Sequence, residues 1–182
     1  MGRLLMAVTG LALAAALPAL AGCGEYLDKF APTPPPPVSG AQPNGKFLSY
    51  DGSRRTVLLL LIAGATGSDN AFNFDGYSGG AMSVKVPSGW QVTVQCADHG
   101  TVPHSCVIVP ASGPATPAFA GASTSDPRKG LVPGTSEAFT FVAGRPGSYR
   151  IECLVPGHVE AGMWDSFEVA EGGLPTISFA PS

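Results

Sequence analysis

Charged side chains are scarce in this chain of 182 residues, of which only 13% are Asp, Glu, Lys or Arg. The formal net charge is −3, and the charges form neither a basic patch nor an acidic block. Proteins that bind nucleic acid present clustered Lys and Arg side chains, and acidic tails need a run of carboxylates. The composition therefore argues against nucleic acid as a partner and against a charged interaction tail.

Helical patterns are missing as well. After the N-terminal segment, no stretch of normal helix length shows a convincing apolar stripe at helical spacing. Gly (24) and Pro (18) are abundant, which is typical of short strands joined by turns. The continuously apolar run at 55–64 predicts a strand that is buried on both faces. With the stretches that follow, it predicts an all-β, antiparallel sandwich of seven or eight strands, at residues 55–64, 82–86, 90–96, 105–110, 138–142, 148–153, 164–170 and 177–179. The long stretch 111–136 interrupts this pattern, and we expect it to be a functional flap or to hold a short helix.

The N-terminus has a long apolar run that ends at a cysteine. Residues 1–22 contain Arg3, the apolar run and small residues before Cys23, which is the pattern of a signal peptide. The box "LAGC" at 20–23 resembles a bacterial lipoprotein cleavage site, at which the cysteine becomes the lipidated first residue. An ordinary signal peptide with a chance cysteine is the alternative. We expect an exported protein that is lipid-anchored at the cell envelope, on the periplasmic or extracytoplasmic face.

Residues 23–45 are predicted to be the lipidated cysteine and a Pro-rich linker. They contain a proline run and no periodic apolar pattern, so we expect an extended tether. The folded domain is predicted over residues 46–182, which is long enough for one sizeable core. The longest apolar run of this domain, at 55–64, is too short to span a bilayer.

Histidine (3) and methionine (4) are rare, yet one of each follows a cysteine at even spacing in "CLVPGHVEAGMW", as Cys153, His158 and Met163. A thiolate, an imidazole and a weak axial thioether are donors of a blue-copper site, which needs one more histidine. His99 and His104 are the candidates. We favour His104, because it directly precedes a predicted strand beside Pro103, where the backbone is held rigidly. His99 lies in a predicted turn.

These residues carry a family resemblance. His104 followed by C-x4-H-x4-M resembles the copper ligands of cupredoxins, and "FNFDGYSGGAMSVKVPSGWQVTVQ", "VPHSCVIV" and "VPGHVEAGMW" are similar to sulfocyanin. The resemblance covers residues 56–169 and implies a cupredoxin-like Greek-key sandwich. It also implies one type 1 copper, bound by His104, Cys153, His158 and Met163. We expect Trp90 and Trp164 to be core residues, and Phe72 and Phe74 to pack near the metal end.

Three further residues are expected to support the site. Ser105 stands where the family more often has Asn, and we expect its side chain to hydrogen-bond near the ligand loop and support the thiolate. With Cys23 assigned to lipid and Cys153 to copper, Cys96 and Cys106 remain. Because an exported protein meets oxidising conditions, we expect them to form a disulfide. Two buried free thiols are the alternative.

This set of ligands indicates an electron carrier and not an enzyme, because four protein ligands leave no open coordination position on the copper for a substrate. We expect a monomer that exchanges single electrons with redox partner proteins. Resemblance to cupredoxins nominates His158 as the electron exit, and an apolar surface around it is typical of a docking site. Two alternatives stay open. One is a copper-binding or copper-delivery lipoprotein, and the other is a hydrolase that uses Cys153 and His158.

Overall fold

The computed structural model describes residues 42–43, 46–65 and 71–180. The predicted signal peptide, Cys23 and most of the predicted linker lie outside the described residues. The described part of the chain contains ten strands and no α-helix, and none of it forms a helix with the length and hydropathy of a membrane span. The strands are β1 (Gln42–Pro43), β2 (Leu48–Asp51), β3 (Thr56–Ala63), β4 (Met82–Pro87), β5 (Gln91–Asp98), β6 (Val107–Pro110), β7 (Ser136–Val142), β8 (Gly147–Glu152), β9 (Trp164–Ala170) and β10 (Thr176–Phe179).

Two five-stranded sheets form a sandwich, which confirms the predicted all-β fold class. The first sheet has the order β1-β2-β3-β5-β7, and the second has the order β10-β4-β9-β8-β6. Their inner faces contribute to one apolar core, in which the Phe141 ring of the first sheet lies 6.0 Å from the Phe167 ring of the second. Successive side chains of a strand point to opposite faces, and this alternation accounts for the burial of every second residue in β5 and β9.

The prediction of purely antiparallel sheets is wrong for two pairs of strands. β3 pairs with β5 in parallel, and β4 pairs with β9 in parallel. The reason is the path of the chain. β4 lies in the second sheet, so the chain leaves the first sheet after β3 and returns to it in the same direction as β5. Parallel neighbours need such a crossover, because a tight hairpin can join only antiparallel strands.

The expectation that the run at 55–64 is buried on both faces is also wrong. Within β3, Leu59 and Leu61 are fully buried, whereas Leu58, Leu60 and Ile62 are half-buried. The inward-facing leucines pack into the core between the sheets. The other face of β3 belongs to the outer surface of the first sheet. The continuous apolar run therefore has one face that is buried in the core and one face that is partly exposed to solvent.

Two strands precede the first predicted one. β2 pairs with β3 and brings Leu48 and Tyr50 into the core, where the Tyr50 ring lies 6.0 Å from the Trp90 ring. β1 pairs with β2 through Gln42 and Pro43, two residues of the range that we assign to the linker. The domain boundary at residue 46 stays a prediction, but the sheet includes backbone that precedes it.

The stretch 111–136 contains no helix and packs along the outer edge of β6. Its backbone bonds to that strand twice, since Ala118 N–H donates to Ile108 (2.8 Å) and Ala122 accepts from Ile108 (3.0 Å). A third bond, from Thr124 N–H, reaches Cys106 just before the strand (3.1 Å). An exposed strand edge is a template for unwanted pairing, and this irregular segment covers it. The end of the same segment reaches His104, through an isolated bridge with Leu131.

Candidate metal centre

Three of the predicted ligands meet at one end of the sandwich. His104 lies just before β6, Cys153 directly follows β8, and His158 lies in the loop that leads to β9. One donor atom of each side chain lies within 4.8 Å of the others, and all three residues are buried. Cys153 Sγ and His158 Nδ1 lie 3.2 Å apart. Elements that are far apart in sequence therefore converge on a group of soft donors.

The Cys153 sulfur is held by the residue that follows His104. The N–H of Ser105 donates to Cys153 Sγ (3.2 Å), and the Ser105 hydroxyl lies 3.7 Å from the same sulfur. That hydroxyl also accepts the N–H of Leu154 at 2.9 Å. Ser105 thus connects the two segments that carry His104 and Cys153, and hydrogen bonds to sulfur stabilise its thiolate form.

Both ring nitrogens of His104 are buried and have no hydrogen-bond partner within the protein. Buried polar groups are nearly always paired, so an unpaired imidazole beside a free thiol indicates a missing ligand. Burial lowers the pKa of His104. Burial, together with the nearby His104, also lowers the pKa of His158. Both imidazoles are therefore held neutral, which is the form that binds a metal.

Burial raises the pKa of the Cys153 thiol, despite the hydrogen bonds from Ser105 and Val155 that favour the thiolate. Cys153 is the free cysteine of the described residues. Since a metal binds the thiolate, loading this site displaces a proton from sulfur. A buried thiol with two neutral imidazoles fits a soft metal such as copper.

Met163 is fully buried and closes the ligand loop through its backbone. Its N–H donates to His158 (2.9 Å), and its carbonyl accepts the N–H of Cys153 (3.3 Å). These two bonds fold the loop back on itself and bring the backbone of Met163 against the backbones of Cys153 and His158.

The other candidate residues lie in different surroundings. His99 is exposed and does not belong to the group of donors. The Phe72 ring lies 4.8 Å from the His158 ring and 6.3 Å from the His104 ring, and Phe74 is fully buried. Trp90 is a core residue, whereas Trp164 is only half-buried and carries the guanidinium of Arg150 at 4.2 Å from its ring. Our expectation of a core position is therefore wrong for Trp164.

Cys96 and Cys106 form a disulfide, with an S–S distance of 1.97 Å. Cys96 lies near the end of β5 and Cys106 just before β6, so the bridge closes the loop that contains His104. Two contacts of this loop were not predicted from the sequence: the carboxylate of Asp98 accepts the N–H of His104 (2.9 Å), and Gly100 lies against the imidazole. The "DHG" turn at 98–100 is the signal that could have drawn attention to them.

A two-sheet sandwich with two histidines and a cysteine gathered at one end defines the class of cupredoxins, and this donor set identifies the cofactor as one type 1 copper. A family model described as "Sulfocyanin (SoxE) domain" matches residues 43–172. The chain belongs to the sulfocyanin family.

The chain is also similar to individual known proteins. The chain is 28% identical over 127 residues to "Sulfocyanin" of Sulfolobus acidocaldarius, and the match covers 63% of this chain and 64% of that protein, less than two thirds of its length. Rusticyanin from Thiobacillus ferrooxidans has a similar fold, with a TM-score of 0.52 and 24% identity over 66% of this chain and 80% of that chain. Reduced auracyanin from Roseiflexus castenholzii is 28% identical over 64% of this chain and 97% of that chain, with a TM-score of 0.47.

Proposed function

We propose that the chain is a one-electron carrier that works at the outer face of a membrane, with His104, Cys153, His158 and Met163 as the four copper ligands. One observation carries the proposal: a thiol and two imidazoles offer donor atoms within 4.8 Å of one another in a buried site. Bound copper supplies a one-electron change between Cu(I) and Cu(II), and a weak axial thioether favours Cu(I). Four protein ligands leave no position for a substrate, so a carrier is favoured over an enzyme.

Fast electron exchange requires that the ligands move little between the two oxidation states. The disulfide Cys96–Cys106 fastens the segment with His104, and Ser105 fastens that segment to Cys153. The backbone bonds of Met163 fold the second ligand segment. These contacts hold both ligand segments in place, and they support the proposal of a rigid site.

His158 is the proposed exit for the electron. It is 7% exposed, whereas His104 is 0% exposed. Its loop carries exposed Pro156 and Ala161, and Val102 near the other histidine is 40% exposed. Apolar surface beside a metal ligand suits brief docking by redox partner proteins, because such contacts need little area.

Membrane attachment through Cys23 completes the proposal. It rests on the "LAGC" box and on the Pro-rich stretch that follows, both of which precede the described residues. A lipid-anchored carrier with an extended tether could reach partners in the same membrane while its folded domain stays outside the bilayer.

The visible spectrum and a redox titration of the copper-loaded protein test the function. We expect an intense thiolate-to-copper band in the Cu(II) form, reversible one-electron titration, and retention of copper against a mild chelator. The Cys153→Ser variant should lose the band, since the thiolate is its source, and His99→Ala serves as the matched control that should keep it. A colourless wild-type protein that gives up its copper to the chelator would instead indicate a copper-delivery protein.

A further inference from the structure

The carboxylate of Asp98 lies at the end of β5 and is fully buried. Both of its oxygens accept hydrogen bonds from the backbone of the loop that follows. Oδ1 accepts the N–H of Gly100 at 2.8 Å, and Oδ2 accepts the N–H of His104 at 2.9 Å. One side chain therefore binds the loop at its beginning and at the ligand itself. Hydrogen bonds to a carboxylate are among the stronger ones in proteins.

The backbone of Asp98 is fixed from the opposite side. Its N–H donates to Thr135 (2.9 Å), and its carbonyl accepts the N–H of Gly134 (2.9 Å). The same segment of chain also reaches the ligand, because Leu131 N–H donates to the carbonyl of His104 at 2.7 Å. These backbone hydrogen bonds hold Asp98 in place, and its carboxylate in turn holds the loop that carries His104.

Gly100 lies close to one edge of the His104 ring. A Cβ atom added at Gly100 would lie 2.5 Å from His104 Nε2 and 2.8 Å from Cδ2, which is closer than real Cβ contacts allow. Gly64 approaches the same nitrogen from another side, where an added Cβ would lie 2.9 Å away. The Nε2 edge is therefore packed against backbone, and Nδ1 is the nitrogen that remains for a metal.

We propose that Asp98 and Gly100 are positioning residues, which fix the orientation of the His104 ring so that Nδ1 faces the copper site before the metal binds. This inference rests on the proposed function. It deepens that function, because it identifies what holds the one ligand that comes from outside the C-x4-H-x4-M loop. The two residues act together: Asp98 holds the backbone of Gly100 in place, and the missing side chain of Gly100 leaves room for the ring.

Three variants test the proposal on the full chain: Asp98→Asn, Asp98→Ala and Gly100→Ala. Asn keeps one acceptor oxygen and Ala keeps none, so we expect a graded effect. The φ angle of Gly100 lies outside the left-handed region, so Ala fits the backbone there and only its methyl group collides with the ring. The matched controls are Asp51→Asn, Asp51→Ala and Gly52→Ala. Asp51 also accepts two backbone N–H groups, but it pairs with Thr56 at the opposite end of β3 from Ala63, the neighbour of Asp98.

The first readout is the NMR signals of the His104 ring in the copper-free protein. We expect them to shift or broaden in Gly100→Ala and Asp98→Ala, to change less in Asp98→Asn, and to stay in place in the controls. The second readout is Cu(I) affinity, measured by competition with a coloured chelator. We expect a loss of about tenfold to a hundredfold for Gly100→Ala and Asp98→Ala, which is typical when a residue behind a metal ligand is removed.

Unchanged ring signals and unchanged Cu(I) affinity in Gly100→Ala would overturn the proposal. Equal losses in the Asp51 controls would also overturn it, since the effect would then be general destabilisation. If Asp98→Ala does not fold, Gly100→Ala still tests the proposal, because this substitution removes no hydrogen bond. Failure of the proposed function gives a different result: the wild-type protein would lack the thiolate-to-copper band, whereas the ring signals of the copper-free protein would still report on the positioning of His104.

Discussion

At the scale of single residues, Met163 differs from the other proposed ligands in the kind of donor that it offers. A thioether is a soft, weak ligand that favours Cu(I), whereas an amide oxygen is harder and favours Cu(II). We therefore predict that Met163→Gln still binds copper and keeps the thiolate-to-copper band, but has a lower reduction potential. Redox titration of the two proteins under the same conditions measures the difference.

The control for this prediction is Met82→Gln, which places the same amide elsewhere in the chain. Met82 is also fully buried, but it lies in β4, outside the ligand loop. It should lose stability without a comparable change in the potential of the folded protein. If Met163→Gln leaves the potential where it is, Met163 is a packing residue and copper has three ligands.

At the scale of secondary-structure elements, the disulfide Cys96–Cys106 holds the ends of two strands that lie in different sheets. A crosslink of this span, with a sequence separation of 10, restricts the unfolded chain and contributes about 3 kcal/mol to the free energy of unfolding. We predict a loss of about that size for the double variant Cys96→Ala, Cys106→Ala, measured by denaturant unfolding.

Mass spectrometry provides the direct check on the bridge. The exported wild-type protein should gain the mass of two hydrogen atoms on reduction, and Cys96 and Cys106 should resist alkylation until then. Two freely alkylated thiols without reductant would contradict the bridge. Comparing unfolding of the wild-type protein with and without reductant separates the effect of the crosslink from the effect of losing two sulfur atoms.

The eight strands expected from the sequence are all present, because apolar alternation and Gly/Pro turns are local signals. β1 was missed because its two residues are too few for a pattern, and β2 was missed because its four residues closely follow the stretch that we assign to the linker. The parallel pairing of β3 with β5 was missed for another reason. The sequence of a strand predicts which of its residues are buried, but it does not predict with which neighbouring strand it pairs.

The candidate site also has a part that the sequence predicts and a part that it does not. Cys153, His158 and Met163 were nominated because they share one short loop with even spacing. The choice of His104 over His99 rested on its place at a strand end, and the structure brings His104 to Cys153 and His158. The support from Asp98 could not be predicted from the sequence, because its partners are backbone N–H groups that converge only when the loop has folded.

At the scale of the whole molecule, two buried carboxyl groups make stability depend on pH. Burial raises the pKa of Asp75 to about 7, although a bond from the Ile62 N–H and the charge of Lys46 act in the opposite direction. Burial also raises the pKa of Asp165 to about 7, and the charge of Asp75 adds to this effect. One oxygen of each carboxyl is buried without a hydrogen-bond partner, so ionisation leaves charge in apolar surroundings.

The sign of the effect follows from proton binding. Between about pH 4, the ordinary pKa of an aspartate, and pH 7, the folded protein binds more protons at Asp75 than the unfolded chain does. The stabilisation from this group is therefore complete below the unfolded pKa and is lost as the pH rises through about 7. We therefore expect the contribution of Asp75 to the free energy of unfolding to increase as the pH falls from neutral.

We predict that Asp75→Asn removes the part of this dependence that is due to Asp75, because the amide cannot ionise. Relative to wild type, the variant should gain on the order of 1 kcal/mol or more in unfolding free energy between pH 4.5 and pH 7.5. Denaturant unfolding of the copper-loaded proteins measures this, since bound metal keeps the ligand histidines neutral. Asp51→Asn is the matched control: hydrogen bonds from Ser53 and Arg54 lower the pKa of Asp51, so its ionisation does not change in this range. A difference between wild type and Asp75→Asn that stays constant from pH 4.5 to 7.5 would show that Asp75 is ionised throughout, and that its unpaired oxygen has a partner such as water.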